Sequence, residues 1–144
     1  MKYVLSYGHL LTDVVRFLKF NTNAVCDRSL HERRGRYAEW IAAVFMIVKG
    51  YRILARRQRT PFGELDLIAV RGKRLAFVEV KLRRNHTEAL SAIGRRQAGR
   101  MAQAAEHWVW QHRRYRGSTI GLDAVYVSKN ALPHYAPDAL QPIL

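Results

Sequence analysis

Between residues 29 and 49 the apolar positions recur every three to four residues, at Ala38, Ile41, Ala42, Phe45 and Val48. That is the spacing of one buried helical face. Ser29 with Glu32 fits a capping box at its start, and Gly50 is a left-handed stop at its end. From Tyr51 the helical spacing gives way to short apolar runs bounded by turn residues. Tyr51–Arg56 reads as a first strand, and Thr60-Pro61-Phe62-Gly63 as a loop. Leu65–Val70 and Leu75–Lys81 read as two strands joined at Gly72-Lys73, a two-residue turn with glycine first. A long helix is predicted from Ile93 to Arg113, with Met101, Ala104, Ala105 and Trp108 on one side and Gly94 and Gly99 weakening its start. A further strand covers Ile120–Val127, and the tail Pro133–Pro137 is expected to be irregular. Helix, three strands, helix, strand is the order of an α/β sandwich around a mixed sheet.

The hairpin can be tested for consistency. With Gly72-Lys73 as the turn, Arg71 opposes Arg74, and the same register sets Asp66 against Glu79, Glu64 against Lys81 and Ile68 against Phe77 on one side. Leu65 with Val80, Leu67 with Val78 and Ala69 with Ala76 make the other side wholly apolar. A slip by one residue would dissolve that segregation. Two opposed carboxylates, about 5 Å apart at the β-carbon, repel unless a positive charge neutralises them. Hard oxygen ligands completed by water suit Mg2+ or Mn2+. A structural charge network, Glu64 with Lys81 and an arginine on the remaining acids, accounts for the same residues. Glu39, one position off the first helix's stripe, is within reach of the site from the side. Gln97 lies on the second helix's stripe, where a buried amide needs partners.

Residues 1–30 stand apart. Val4, Leu5, Leu10, Leu11, Val14, Val15, Leu18 and Phe20 suggest an amphipathic helix ending at Asn21-Thr22-Asn23. It is read as an appendage (a partner-binding arm, a membrane-surface helix or an upstream extension) to a single domain over residues 31–144. The single cysteine, Cys26, excludes an internal disulfide and points to a reducing, cytoplasmic compartment. The six histidines have no zinc-type spacing. No apolar run approaches a membrane span.

Charge changes the picture more than composition does. The chain of 144 residues has 25 Lys+Arg against 11 Asp+Glu, a formal charge of +14. Most of the excess is arginine, whose planar fork suits phosphate oxygens, so polyanions are the favoured partners, nucleic acid first. Arg56, Arg57 and Arg59 lead into the loop before Glu64, and Arg83 and Arg84 follow Lys81. Both clusters flank the acids, where they would contact a phosphate backbone.

Gly35, Glu39, Gly50-Tyr51 with Ile53-Leu54, the string Gly63-Glu64-Leu65-Asp66-Leu67-Ile68-Ala69, and Phe77-Val78-Glu79-Val80-Lys81 together resemble the YraN-like family of endonuclease-type proteins. So do Arg96-Gln97, the Ala104-Ala105 helix and the strand ending in Asp123-Ala124-Val125. The resemblance covers about residues 31–140. It rests most firmly on the glycine–acid string at a fixed distance from the second strand, since Glu-x-Lys alone is weak. That family is similar in fold to the PD-(D/E)XK nucleases, particularly archaeal Holliday-junction resolvases. It therefore implies a restriction-endonuclease-like α/β/α sandwich, with Asp66, Glu79 and the Val80 carbonyl as ligands of Mg2+ (or Mn2+). Lys81 would orient or activate the attacking water, Glu39 would be the helix acid near the metal, and Gln97 a polar helix residue near the lysine. Leu65, not proline, precedes Asp66, as is normal in the YraN-like group.

The implied reaction is metal-assisted hydrolysis of DNA phosphodiester bonds. With no sequence-reading motif present, strand structure rather than base sequence is expected to be recognised, and branched DNA is what the resemblance implies. Resolvases of this type act as symmetric dimers, so a homodimer is expected too. Two other classes fit the same residues: an accessory protein that binds nucleic acid without cutting it, and a metal-binding interaction protein whose basic surface and N-terminal arm contact another protein or a membrane.

Overall fold

The computed structural model describes residues 30–82, 95–128 and 131–140, without the side chains of residues 30–34 and 95. The N-terminal appendage, the Ser29–Glu32 cap, Arg83, Arg84, Ile93 and Gly94 lie outside those described residues or side chains. Helix α1 spans Leu30–Val48, and three strands follow: β1 Arg52–Thr60, β2 Gly63–Arg71 and β3 Arg74–Leu82. Helix α2 spans Arg95–Gln111, a short 3-10 turn Arg113–Tyr115, then β4 Thr119–Val127 and β5 His134–Ala136. The strands form one sheet in the order β1-β2-β3-β4-β5. Every neighbouring pair is antiparallel except β3 with β4, which run parallel from Arg74↔Thr119 to Leu82↔Val127. Helix α2 is the crossover that a parallel pair needs.

The helices cover opposite faces. Ala38, Ala42, Ala43 and Met46 of α1 pack with Leu67, Ala69, Ala76, Val78 and Val125. Met101, Ala104, Ala105 and Trp108 of α2 pack with Ile68, Leu75, Phe77 and Leu122. The architecture is an α/β/α sandwich around a mixed sheet, as the element order predicts. No helix among the described residues is long and apolar enough to cross a membrane.

Four expectations need correction. The buried stripe of α1 runs through Ala38, Ala42, Ala43, Met46 and Ile47, leaving Val48 73% exposed; short alanines, which carry little apolar signal, mark where the helix lies closest to the sheet. Strand β1 continues to Thr60, so Arg57 and Arg59 sit on a strand rather than in a loop. The polar run Arg56–Thr60 conceals an edge strand that needs only one neighbour. It turns at Pro61-Phe62, pairs Thr60 with Gly63, and the Thr60 hydroxyl donates to the Gly63 carbonyl at 2.7 Å. The tail supplies strand β5, whose Tyr135 pairs with Val125 and closes the other edge.

The fourth correction concerns the hairpin register. Gly72, at φ 59°, makes the tight turn, and pairing follows the predicted register from Arg71↔Arg74 to Leu67↔Val78. There the regular ladder ends. Past it the Val80 N–H donates to the Asp66 carboxylate at 2.8 Å. Leu65, assigned to the α1 face by alternation, packs instead with Met101 and Phe77 on the α2 face. On the partner strand, between the pairs Arg56↔Leu67 and Gln58↔Leu65, Arg57 takes a left-handed φ of 48°. That conformation costs an L-residue about 1–2 kcal/mol, and it sits beside Asp66. The register shift of the β1–β2 pair, which raises strand twist, lies further along, between Ile53 and Ala55.

Candidate active site

Asp66 and Glu79 leave neighbouring strands on the face covered by α2 and line one cavity of about 220 Å³ with Glu64, Gln97, Arg100 and Phe62. Strand alternation brings them there: Asp66 shares its face with Ile68, and Glu79 with Phe77. The aliphatic residues further along each strand fix that face against α2. The Lys81 ammonium lies 2.7 Å from Glu79 Oε1, and the Gln97 amide donates to the same oxygen at 2.5 Å. Gln97 stands in the first turn of α2, one helical repeat before Met101 and the apolar stripe. That stripe is what aims its amide at the sheet.

The two acids differ in their partners. Glu79 is held by a cation and an amide, whereas the bond shown to Asp66 is the Val80 N–H. The Asp66 carboxyl is raised from 3.8 to about 7, first by burial and then by the charge of Glu79, against the lowering effect of the Val80 N–H. Asp66 therefore holds its proton to far higher pH than an ordinary carboxyl does.

Glu39 reaches the site region from α1, on the edge of the buried stripe four residues before Ala43. Its Oε2 is buried with no hydrogen-bond partner among the described residues and lies 3.9 Å from the Arg57 guanidinium. Burial raises its pKa, and Arg57 and Arg56 offset this only in part. Arg57 is shifted up, first by its hydrogen bond to Glu64. The two directions disagree about a Glu39–Arg57 pair, and geometry decides: Arg57 belongs to Glu64 at 2.9 Å, and Glu39 is left under-neutralised.

Glu64 therefore does not pair with Lys81 as the extended register implied. It takes Arg57 at 2.9 Å and Arg59 at 3.6 Å on its own hairpin, because the regular β2–β3 ladder has ended before it. Arg56 is half-buried, with its pKa lowered by desolvation, while Arg57 and Arg59 are exposed. Arg100 was missed. It lines the cavity three residues after Gln97, and the i, i+3 spacing on one helix face was the available signal. Trp108 and Tyr115 pack in the core, and Trp110 is exposed.

Among the described residues no group of three His, Cys, Asp or Glu side chains assembles to hold a metal ion. The donors that meet are two carboxylates. Mg2+ commonly binds through one or two carboxylates, with water and substrate phosphate completing its octahedron, and a cation would relieve the raised Asp66. The residues fit a hard divalent cation of that kind.

The model of the family described as Uncharacterised protein family UPF0102 matches residues 38–127, a span that contains Glu39, Asp66, Glu79, Lys81 and Gln97. A UPF0102 protein of Rhodopseudomonas palustris (strain BisB18) is 45% identical over 116 residues, 81% of this chain and 86% of that protein. One from Mesorhizobium japonicum is 50% identical over 95 residues, 66% of this chain and 76% of that protein. One from Methylorubrum extorquens is 42% identical over 108 residues, 75% and 84% respectively.

Proposed function

The chain belongs to the uncharacterised protein family UPF0102, and from that premise we propose that it is a metal-dependent endonuclease of the PD-(D/E)XK type acting on DNA. One observation carries the reading: an under-neutralised carboxylate, Asp66, shares a cavity with a second acid, Glu79, to which a lysine is bound. The likeness to YraN-like proteins supports it, and so does the net charge of +14.

Asp66 and Glu79 would hold Mg2+ or Mn2+, which supplies Lewis acidity to the phosphoryl group and acidifies water. The Val80 N–H fixes the Asp66 carboxylate, and Gln97 fixes that of Glu79, so both acids are aimed before substrate arrives. Lys81, anchored on Glu79, orients the attacking water or stabilises the developing negative charge. Arg100 at the cavity and Arg57 and Arg59 on the β1 edge contact the backbone of the scissile strand, and Glu39 adds negative charge from α1. Branched DNA, which presents two strands to cut, would call for two copies of the chain.

The test is cleavage of supercoiled, single-stranded, flapped and four-way DNA with Mg2+ or Mn2+. Wild type should cut at least one of them, with Asp66→Ala and Lys81→Ala slower by about 10²- to 10³-fold or more. Equal activity in all three proteins would mean a contaminant and remove the proposal. A second reading, nucleic-acid binding without cleavage, draws on the two-carboxylate donor set. Salt-dependent binding with no cutting of any substrate would favour it.

A further inference from the structure

At the turn end of the hairpin lies a second, larger cavity of about 570 Å³, whose lining includes Arg52, Arg71, Lys73, Arg114, Tyr115 and Ser118. Among the described residues no carboxylate lines it. Its four cations come from separate parts of the chain: the start of β1, the end of β2, the β2–β3 turn, and the 3-10 turn after α2. Among the described residues none of the four forms an ion pair. Bringing four like charges to one concavity costs repulsion, which an anion would relieve.

Two of the guanidinium groups are also pre-set. Arg71 lies 4.7 Å from the centre of the Tyr51 ring and donates to the Lys49 carbonyl at 3.0 Å. Arg114 lies 4.6 Å from the centre of the Tyr115 ring and donates to its hydroxyl at 2.6 Å. Both rings are buried. The forks are thus held on aromatic faces, so ligand binding freezes less rotamer freedom than it would on flexible side chains. Ser118 and the two arginine forks offer hydrogen-bond donors, the chemistry that phosphate oxygens require.

We propose that this cavity is a phosphate-binding site for the sugar–phosphate backbone of a polynucleotide, remote from the acid cavity and engaged by the same strand. The polynucleotide as ligand rests on the function proposed above; the site itself rests on the four cations. From Gly72 to Asp66 the hairpin advances six residues, about 20 Å at ~3.3 Å per residue. A nucleic-acid strand covers that distance with about six nucleotides at ~3.4 Å each. The exposed edge strand β1, with Arg52 at one end and Arg57 and Arg59 towards the other, joins the two cavities. A strand along that edge runs from Arg52 past Ile53-Leu54-Ala55 to Arg57 and Arg59, which also hold Glu64.

Arg52→Ala/Lys73→Ala removes the two cations whose side chains hold no partner among the described residues. Wild type and variant, checked for equal Tm, are titrated without divalent metal with labelled 4-nucleotide and 20-nucleotide single strands over a salt series. The expected result is a loss of about tenfold or more for the 20-mer. Its salt slope should also be shallower by about 1.4, from two contacts at ~0.7 each on single strands. The 4-mer, too short to span both cavities, should show a smaller loss. Equal affinity and slope for the 20-mer in both proteins would overturn the site, and so would a wild type that binds neither strand. Inorganic tripolyphosphate and phosphatidylserine vesicles are run beside them. If either binds wild type as tightly as the 20-mer and is lost in the variant, the cavity takes free phosphates or a lipid surface instead, and the polynucleotide assignment falls. A length-dependent loss together with a failed cleavage assay would leave this site standing while removing the nuclease reading.

Discussion

Two aspartates on either side of β3 in the same sheet, half-buried Asp66 on β2 and buried Asp123 on β4, have opposite surroundings. Asp123 on β4 is fully buried, yet every approach to it is filled. The Arg74 guanidinium lies 2.7 Å from Oδ1, the Asp138 N–H donates to the same oxygen at 2.8 Å, and the Tyr135 hydroxyl donates to Oδ2 at 2.6 Å. Tyr135 in turn contacts the Tyr51 hydroxyl at 3.0 Å. Burial raises the Tyr135 hydroxyl well above its usual range, and the Asp123 charge adds to it. Arg74 is shifted up: burial opposes its charge, but the bonds to Asp138 and Asp123 outweigh that. Asp66, less buried, receives one backbone N–H and a neighbouring carboxylate. A carboxylate with a full set of donors is neutralised by the fold, and one with too few leaves room for an added positive charge. Asp123 ties β4 to β3 and to the tail; Asp66 is kept short of positive charge.

Substitutions can break that contrast. The largest effect on stability is expected for Asp123→Ala, which takes from Arg74 the nearer of its two carboxylates and from Tyr135 and the Asp138 N–H their shared acceptor group, and should cost about 3–5 kcal/mol in urea unfolding. A loss under 1 kcal/mol would show that the network is decorative. Asp66→Asn should act in the other direction. The Asp66 carboxyl is raised from 3.8 to about 7 in the fold, so the folded state binds more protons than the unfolded state between those values. Stability from this group is then present at low pH and falls as pH rises towards 7. The penalty above pH 7 is at most about 4 kcal/mol, at ~1.4 kcal/mol for each tenfold in proton affinity. Without metal, Asp66→Asn should be more stable than wild type at pH 8 and equal to it near pH 3. A difference independent of pH would refute the assignment, and Mg2+ should narrow the gap at pH 8.

Gly121→Ala tests the Asp123 side more gently. A Cβ there would meet the Arg74 guanidinium and come within 2.7 Å of Asp123 Oδ1. Displacing Arg74 should cost about 1–3 kcal/mol, and Asp123→Asn should change the size of that cost if the two act through one contact. The smallest effect is expected from Gln97→Ala. It removes one hydrogen bond to Glu79, worth about 0.5–1.5 kcal/mol, so cleavage should slow by about tenfold or less while Tm barely moves. A loss as large as that of Lys81→Ala would promote Gln97 from orienting Glu79 to handling substrate.

The sequence makes one of these aspartates legible and hides the other. Asp66 stands out because a hairpin with a recognisable turn fixes its register within a few residues, and Glu79 and Lys81 follow from it. The helices and strands β2 to β4 are readable as elements from their apolar periodicities, although the buried face of α1 is turned past Val48 and Leu65 of β2 faces α2. Asp123 gives no local signal, since its partners Arg74 and Tyr135 come from 49 and 12 residues away. The Arg56–Thr60 stretch and β5 escape because edge strands need little apolar surface. Leu65 and Glu64 are misplaced by strict alternation, which holds only as far as the regular β2–β3 ladder, ending at Leu67↔Val78. Gln97 was visible as a polar residue on an apolar stripe, but its partner was not.

The three-strand meander also bears on the order in which the molecule assembles. Asp66, Glu79 and Lys81 lie within one stretch of consecutive antiparallel strands, β1 to β3, joined by tight turns. The parallel β3–β4 pairing must instead bring Arg74 to Thr119 across the whole α2 crossover. Local hairpins form in about 1–10 μs, while non-local parallel pairing bears the larger loop-closure entropy and comes later. The acids should therefore meet early, with their mutual repulsion, before Gln97 arrives to hold Glu79. Refolding should then be faster for Asp66→Asn than for wild type at pH 8, with little difference near pH 3. Stopped-flow measurement of the two refolding rates would show whether the site's charge slows the birth of its own fold.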